Sequence, residues 1–397
     1  MQFLRNILDK QKPLFEKGGK LEKFYYAFEA GETFLFTPND TAPAAGTHIR
    51  DAIDLKRLMI TVVIALIPCL LFGIYNVGHT HYLALGETAT FIQKIGIGAM
   101  VVLPIVLVSY TAGGIVEVIF SAVRRHPVNE GFLVTGMLIP LIMPPTIPLW
   151  QVALATIFAV VIAKEVFGGT GMNVLNVAMT ARAFLYFAYP SDMSGDVWYY
   201  TGGSEYADGF SGATPLGLAA EAVAVEGAQP VVATLNGFQD GLYEFGNLVV
   251  GLIPGSIGST SLIMVLIGAV ILIATGVGSW KIILSGFVGV YVMGLIFNLG
   301  GANEYMNMPA YYHFAIGGVA FGIVFMATDP VSAAHTETGK WIYGFLIGAI
   351  TVIIRVLNPA YPEGIMLAVL FMNVFAPLID FYVVQANKKR RLQRATV

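Results

Sequence analysis

Carboxylates set into long apolar stretches are the first chemical signal in this chain. Glu117, Asp329 and Asp380 lie inside or at the ends of such stretches. A carboxylate at the centre of a bilayer costs about 2.5–3.5 kcal/mol, so one that is kept there is a functional candidate by default. Glu117 stands two turns before Arg124 and Asp380 two turns before Lys388, so each also reads as a helix-end charge that snorkels. Two glycine- or proline-rich breaks interrupt the same kind of sequence. One is Lys164-Glu165-Val166-Phe167-Gly168-Gly169-Thr170-Gly171-Met172-Asn173, which leads to Asn176 and Arg182. The other is Ala327-Thr328-Asp329-Pro330-Val331-Ser332. Irregular backbone at membrane depth survives only where it is buried in protein or lines a cavity. Each break is thus either an interhelical turn or the wall of a substrate or cofactor site. Gly113-Gly114, just before Glu117, admits a second backbone or a flat ligand at close range. A further segment, Asp208-Gly209-Phe210-Ser211-Gly212-Ala213-Thr214-Pro215-Leu216, is by residue type a turn of small residues bearing hydroxyls. His79, His81, His126, His313 and His335 have no spacing suited to a metal and read as structural or interfacial, so no metal site is expected.

The chain around these residues excludes several classes of protein. It has 397 residues, 56% of them hydrophobic and 12% charged. Soluble domains carry about 25% charged residues, and half of that does not cover the surface of a soluble globule. A mean hydropathy of +0.72 agrees with a polytopic membrane protein. A net charge of −3 offers no basic face, so no nucleic-acid partner is expected. The single cysteine, Cys69, rules out an internal disulfide or a cysteine-ligated cluster within the chain. No G-x-S-x-G, phosphate-binding, dinucleotide-binding or H-E-x-x-H motif is present. Residues 1–20 are basic without an apolar core behind them, so no leader is expected there.

The pattern predicts an all-α protein of about ten transmembrane helices. They fall at about 57–77, 95–123, 131–149, 151–167, 171–190, 247–277, 281–299, 311–328, 341–358 and 364–386. The sixth is long enough for a broken piece, and Pro254-Gly255-Ser256-Ile257-Gly258 supports a break there. Five parts follow: a polar extension 1–56, a first five-helix repeat 57–190, an acidic loop 191–246, a second five-helix repeat 247–386 and a basic tail 387–397. Lys56, Arg57, Arg124, Arg125, Lys164, Lys281, Lys340 and the run Lys388 to Arg391 all fall on the side of the N-terminus, with Lys94 and Arg355 as exceptions. Positive residues collect on the cytoplasmic side, so both termini are placed there. The loop 191–246 holds eight acids and no Lys or Arg, and is placed outside. Pro145, Lys164 and Pro190 are spaced like Pro330, Arg355 and Pro377, which points to two inverted repeats. A rival register sets Glu130-Gly131 and Pro144 against Glu363-Gly364 and Pro377 but breaks helix order.

Ser211-Gly212-Ala213-Thr214 resembles the motif at which FMN is esterified through its phosphate to a threonine. The motif belongs to a family of membrane redox proteins. The family includes the B subunit of Na⁺-translocating NADH:quinone oxidoreductases and the D subunit of Rnf-type ferredoxin:NAD⁺ oxidoreductases. Lys164 to Asn176, Phe325 to Ser332 and Arg355 to Gly364 are similar to the family as well, and the resemblance covers essentially the whole chain. Phe15-Glu16-Lys17-Gly18-Gly19-Lys20 and the run from Ile49 to Arg57 resemble the quinone reductase branch. The Rnf-type branch lacks most of this extension. The resemblance implies a bacterial inner-membrane protein, part of a larger complex, that passes electrons from covalent FMN through riboflavin to ubiquinone, coupled to Na⁺ movement. It implies FMN on Thr214, with Ser211, Gly212 and Ala213 completing the motif. It also implies a riboflavin pocket, for which Gly169, Asn173 and Asn176 are candidates. Gly113, Gly114 and Glu117 match positions tied to the quinone site, and Glu117, Asp329 and Asp380 match acids implicated in Na⁺ handling. Partners would be the other subunits of the complex, a quinone and a flavin transferase. With no Lys or Arg in the loop around Thr214, covalent attachment is expected to replace retention of the phosphate by charge. The alternatives are an Rnf-type protein and a flavin-free channel or secondary transporter.

Overall fold

The structure, a computed structural model, describes residues 2–395 apart from 17, 37–45, 47–54, 127, 129–130, 196, 225–228 and 359–360. Ile49 to Asp54 of the extension therefore lie outside the described residues, as do Lys17, Glu130, and Asp196 and Glu226 of the acidic loop. Every regular element among the described residues is helical. α1 (Gln2–Phe15) and α2 (Tyr25–Leu35) pair through stacked Phe15 and Phe28 rings 4.7 Å apart and a Lys12–Glu32 ion pair at 3.1 Å.

Two long helices follow, α3 (Leu55–Ala84) and α4 (Phe91–Arg124). They cross at glycines: a Cβ on Gly98 would lie 1.7 Å from the Ile74 carbonyl oxygen, and one on Gly78 1.8 Å from that of Lys94. Close backbone approach through small residues is how helices pack where no hydrophobic force drives them together. α5 (Gly131–Leu141) is only 11 residues long. Pro140 sits in its last turn and Pro144, Pro145 and Pro148 follow, none with an N–H to continue the ladder. α6 (Leu149–Phe158) runs on into a π turn, Ala159–Lys164, and a tight turn, Glu165–Phe167. α7 (Val177–Ala188) begins at Asn176, whose side chain accepts the Met179 N–H at 3.0 Å and so caps it.

The loop read at 191–246 carries three short helices, α8 (Pro215–Ala224), α9 (Val231–Gly237) and α10 (Phe245–Val250). They enclose a core of their own with Leu216, Leu235, Tyr243, Leu248, Tyr305 and Tyr312, separate from the main core. The stretch before them is tied down by side chains and backbone. The Ala207 N–H donates to the Ala84 carbonyl at 2.9 Å, Thr146 Oγ1 to Val197 at 2.6 Å and His81 Nδ1 to Tyr200 at 2.7 Å.

The second half contains α11 (Leu262–Ala274), α12 (Trp280–Gly300), α13 (Tyr312–Ala315) and α14 (Val319–Phe321), the last extended by a π turn, Gly322–Met326. α15 (Glu337–Leu357) and α16 (Ile365–Ala395) end it. α12 and α15 share the most extensive helix contact. Again it is through glycine, since a Cβ on Gly289 would meet the Phe345 carbonyl oxygen at 2.1 Å. α3 packs against α11 and α7 against α16.

Six of the described helices are long and apolar enough to cross a membrane: Lys56–Ala84, Phe91–Arg124, Leu149–Phe167, Trp280–Gly300, Glu337–Leu357 and Ile365–Arg394. The stretches read at 131–149, 171–190, 247–277 and 311–328 are shorter or interrupted, because proline and positive-φ glycine end their helices early. The break at Pro254 to Gly258 is present as non-helical backbone from 251 to 261.

Candidate functional site: two cavities joined by half-helices

The two interrupted segments, α5 and the stretch 319–326, organise the interior. Gly131, Thr135 and Leu138 of α5 line one cavity, while Ile142 just past its end lines another. The order is reversed in the second segment: Gly318 and Phe321 line the cavity of Ile142, and Phe325 and Thr328 that of Gly131. The half-helices therefore run antiparallel between two cavities. At about 1.5 Å per residue, the 11 residues of α5 separate them by roughly 15 Å. The freed carbonyls at the end of α5 are satisfied by the broken segment before α11. The Gly258 N–H donates to Leu141 at 2.7 Å and the Ile257 N–H to Met143 at 3.1 Å. Asp329 closes the other half-helix by accepting from the Val331 N–H at 3.1 Å and Ser332 Oγ at 2.8 Å.

The first cavity has a volume of about 270 Å³ and is lined by, among others, Thr214, Arg182, Ser194, Trp198, Ser256 and Glu363. The Thr214 hydroxyl oxygen accepts the Gly217 N–H at 3.1 Å, which fixes it at the start of α8. The motif before it is held in place from the far side. The Ala213 carbonyl accepts from the Tyr243 hydroxyl at 2.5 Å and the Ser211 carbonyl from Gln239 Nε2 at 3.0 Å. Burial pushes the Tyr243 hydroxyl well above the usual phenol range, so it remains a donor. Gln239 and Asp240 adopt positive φ, at 42° and 55°, to make that turn. Ala213 and Thr214 face the cavity; Ser211 is exposed and Gly212 is buried, and neither lines it.

A cation does reach this cavity, contrary to what the loop alone implies. Arg182 of α7 is 5% exposed, donates to the Ile142 carbonyl and to the Glu363 carboxylate, and lies 6.0 Å from the Trp198 ring centre. Its Nε is buried without a hydrogen-bond partner. Counting charges along the loop missed it because the guanidinium comes from a neighbouring helix.

The second cavity, of about 100 Å³, is lined by Asn173, Asn176, Thr170, Lys164, Thr135 and Asp329, with apolar walls from α3 and α11. Asn176 is largely used by the fold: Nδ2 donates to Met326 at 3.3 Å, Oδ1 caps α7, and its N–H meets Asn373 Oδ1 at 3.2 Å. Thr170 Oγ1 is buried and unpartnered. Gly169 does not line this cavity. It stands beside Glu165, whose carboxylate oxygens a Cβ there would meet at 3.6–3.7 Å.

Next to this cavity lies a buried group of charges. Lys164 pairs with Glu117, and both are nearly sequestered, at 5% and 4% side-chain exposure. Arg124 holds Glu165 through its carboxylate at 2.9 Å and its carbonyl at 2.7 Å. Gly113, one turn before Glu117 on the buried face of α4, packs directly against Phe132, whereas a Cβ on Gly114 would meet nothing within 4 Å. Asp380 lines neither cavity. Its oxygens accept from the His335 N–H at 2.7 Å, the Thr336 N–H at 3.0 Å and Thr336 Oγ1 at 2.5 Å, pinning the start of α15.

A family model described as the NQR2, RnfD, RnfE family matches residues 43–389. The chain belongs to that family. Among its relatives is the Na⁺-translocating NADH-quinone reductase B subunit of Chromohalobacter salexigens, 48% identical over 415 residues, covering 98% of this chain and 96% of the relative. The proteins of the same name from Yersinia pestis and Stutzerimonas stutzeri are 47% and 46% identical, each covering 98% of this chain and 99% of the relative.

In this family member the structure brings Thr214 and Ala213 to one cavity and Asn173, Asn176 and Asp329 to the other. Glu117 touches the second cavity only through Lys164. Sequence reasoning passed over Arg182, Glu363, Trp198 and Thr170 as site residues. For Arg182 and Lys164 a signal existed, since a basic residue within an apolar helix is as costly as the acids singled out. Nothing in the local sequence ties Glu363 to Arg182, 181 positions away.

Proposed function

We propose that this chain is the membrane component of a bacterial Na⁺-translocating NADH:quinone reductase, and that it passes electrons from FMN on Thr214, through riboflavin, to ubiquinone. The observation that carries the reading is the position of Thr214, which lines a cavity large enough for a flat aromatic ligand and whose hydroxyl oxygen is held by the Gly217 N–H. The donor set fits a flavin mononucleotide: Arg182 offers its unpartnered Nε–H, Ser194 and Ser256 offer hydroxyls, and Trp198 and Phe321 offer apolar faces. In the second cavity the unpartnered Thr170 hydroxyl, together with Asn173 and Lys164, fits the polar edge of a riboflavin, whose space requires the 100 Å³ void to widen. Bound flavins supply single-electron carriage, which no side chain here provides. The chain's own residues hold, orient and shield. α5, α7 and the 319–326 segment fix the spacing of the two cavities.

The spans assemble in this reading as two inverted five-helix repeats, α3 to α7 and α11 to α16 with α13 and α14 counted as one broken member, the half-helices being the third member of each. The contacts α3–α11 and α7–α16 support it, because equivalent members then meet across a pseudo-two-fold axis. The basic residues at one end put both termini in the cytoplasm and Thr214 outside. The relatives cover 98% of the chain, extension included, which favours the reductase branch over the Rnf-type one. Quinone is assigned near Gly113, Gly114 and Glu117. Of the three acids, Asp329 is the strongest candidate for Na⁺ handling, since it alone lines a cavity. The remaining subunits deliver electrons, and a flavin transferase loads Thr214. Thr214→Val, produced with the transferase, is expected to abolish in-gel flavin fluorescence of this chain. Fluorescence that persists would overturn the assignment.

A further inference from the structure

The two acids and one base that line the first cavity are not equivalent. Among the described residues lining it, Arg182 is the one cation and Glu221 and Glu363 are the carboxylates. Glu221 is exposed and screened by water. Glu363 is held on two sides. Its carboxylate takes Arg182, and its carbonyl accepts from Arg355 Nε at 2.9 Å. Arg355 is fully buried and is itself fixed by the carbonyls of His313 at 3.1 Å and Ile316 at 2.9 Å, just before the second half-helix. The backbone from which the Glu363 carboxylate reaches Arg182 is therefore fixed in place. Arg182 in turn is held by the Ile142 carbonyl at the end of the first half-helix. The pair thus sits where both half-helices reach the cavity, with side-chain exposures of 6% for Arg182 and 23% for Glu363, so the guanidinium is the less screened of the two.

We propose that Glu363 is a positioning residue that, by pairing with Arg182, sets how much positive charge the Thr214 cavity presents and so the reduction potential of the flavin there. The proposal rests on the flavin reading given above. A fixed cation beside a redox centre favours electron gain, and a carboxylate opposes it. With the pair intact, the two largely cancel. Neutralising Glu363 uncovers the guanidinium, and neutralising Arg182 uncovers the carboxylate. Both changes break the same ion pair and loosen the same contacts, so a purely structural role gives shifts of the same sign or none.

The test is a spectroelectrochemical titration of the full-length chain produced with a flavin transferase. Thr214→Val serves as the blank that removes the covalent flavin's contribution. The expected result is a higher midpoint potential for E363Q, a lower one for R182Q, and a value near the parent for the two combined. E221Q should leave the potential unchanged. Should R182Q not fold, R182K keeps the charge and should retain the parent potential, while E363Q alone carries the sign. Shifts of the same sign in E363Q and R182Q, or no shift in E363Q, overturn the proposal. A parent chain with no covalent flavin overturns the underlying reading instead, and in-gel fluorescence separates the two failures.

Discussion

Replacing Gly113 by alanine sets a methyl group against the ring of Phe132. An ideal Cβ at position 113 lies 2.0 and 2.3 Å from two ring carbons, against a comfortable carbon–carbon contact of about 3.5–4.0 Å. The ring must retreat by roughly 1.5 Å to relieve this overlap. It has little room: Phe132 is 6% exposed and meets the Tyr110 ring edge-on at 6.2 Å, and Tyr110 is anchored by its hydroxyl to the Leu133 carbonyl at 2.6 Å. Overpacking of this kind costs about 1–3 kcal/mol. The neighbouring Gly114 is the control, since a Cβ there meets nothing within 4 Å. Both positions lie within α4, so the gain of about 0.5–1 kcal/mol from replacing a helical glycine applies to each and cancels in the comparison. G113A should therefore be less stable than G114A by about 1–3 kcal/mol, measured by chemical unfolding in mixed micelles. Phe132→Leu combined with G113A should recover part of the loss. Equal stability of the two alanine variants, or the reverse order, would refute the argument. If quinone binds against α4, the open Gly114 is where an added methyl alters quinone affinity at no steric cost to the fold.

Other perturbations test the charges and caps. E117Q leaves Lys164 buried without its partner and should cost about 3–5 kcal/mol, whereas E117L with K164M should cost far less than the two single changes added together. Unfolding of the parent, both single variants and the double variant closes that cycle, and additive losses would mean the pair is not coupled. D380A removes the acceptor for two backbone N–H groups and one hydroxyl at the start of α15 and should cost about 1–3 kcal/mol. Its Na⁺ dependence of turnover should match the parent, and a selective loss of Na⁺ response would return Asp380 to the ion pathway.

The helical class and the membrane setting were legible because they rest on composition and on long apolar runs, which tertiary contacts cannot disguise. Thr214 could be singled out in the sequence because its four-residue motif is local, and the structure adds that it lines a cavity. What the sequence concealed has one physical cause: positions far apart in the chain meet in the interior. Asn173 and Asn176 stand near Asp329 only because α7 and the 319–326 half-helix share a wall. The short spans were misjudged in length for a related reason. Ile142, Met143 and the residues around Ile257 are apolar and so read as helix, but the backbone at 141–143 bonds across to that at 257–258 instead. Asp380 differs again. It looked like a membrane acid, yet its neighbours are donors at the start of another helix, a relation that no spacing within α16 reveals.

The interior charges obey a single rule that the count of charges alone does not express. Three buried cations are each held by an acid or carbonyls from another segment: Lys164 by Glu117 of α4, Arg182 by Ile142 and Glu363, and Arg355 by the turn before α14 and by Glu363. Cations placed in this way tie helices whose own ladders are broken, which low-dielectric surroundings make both strong and unforgiving. The same three groups border the two cavities, directly or through one partner. Any event that changes charge in a cavity therefore acts on the bonds that hold the half-helices in place. Under the proposed function, that shared use of a few charges would give electron transfer and ion movement a common set of atoms.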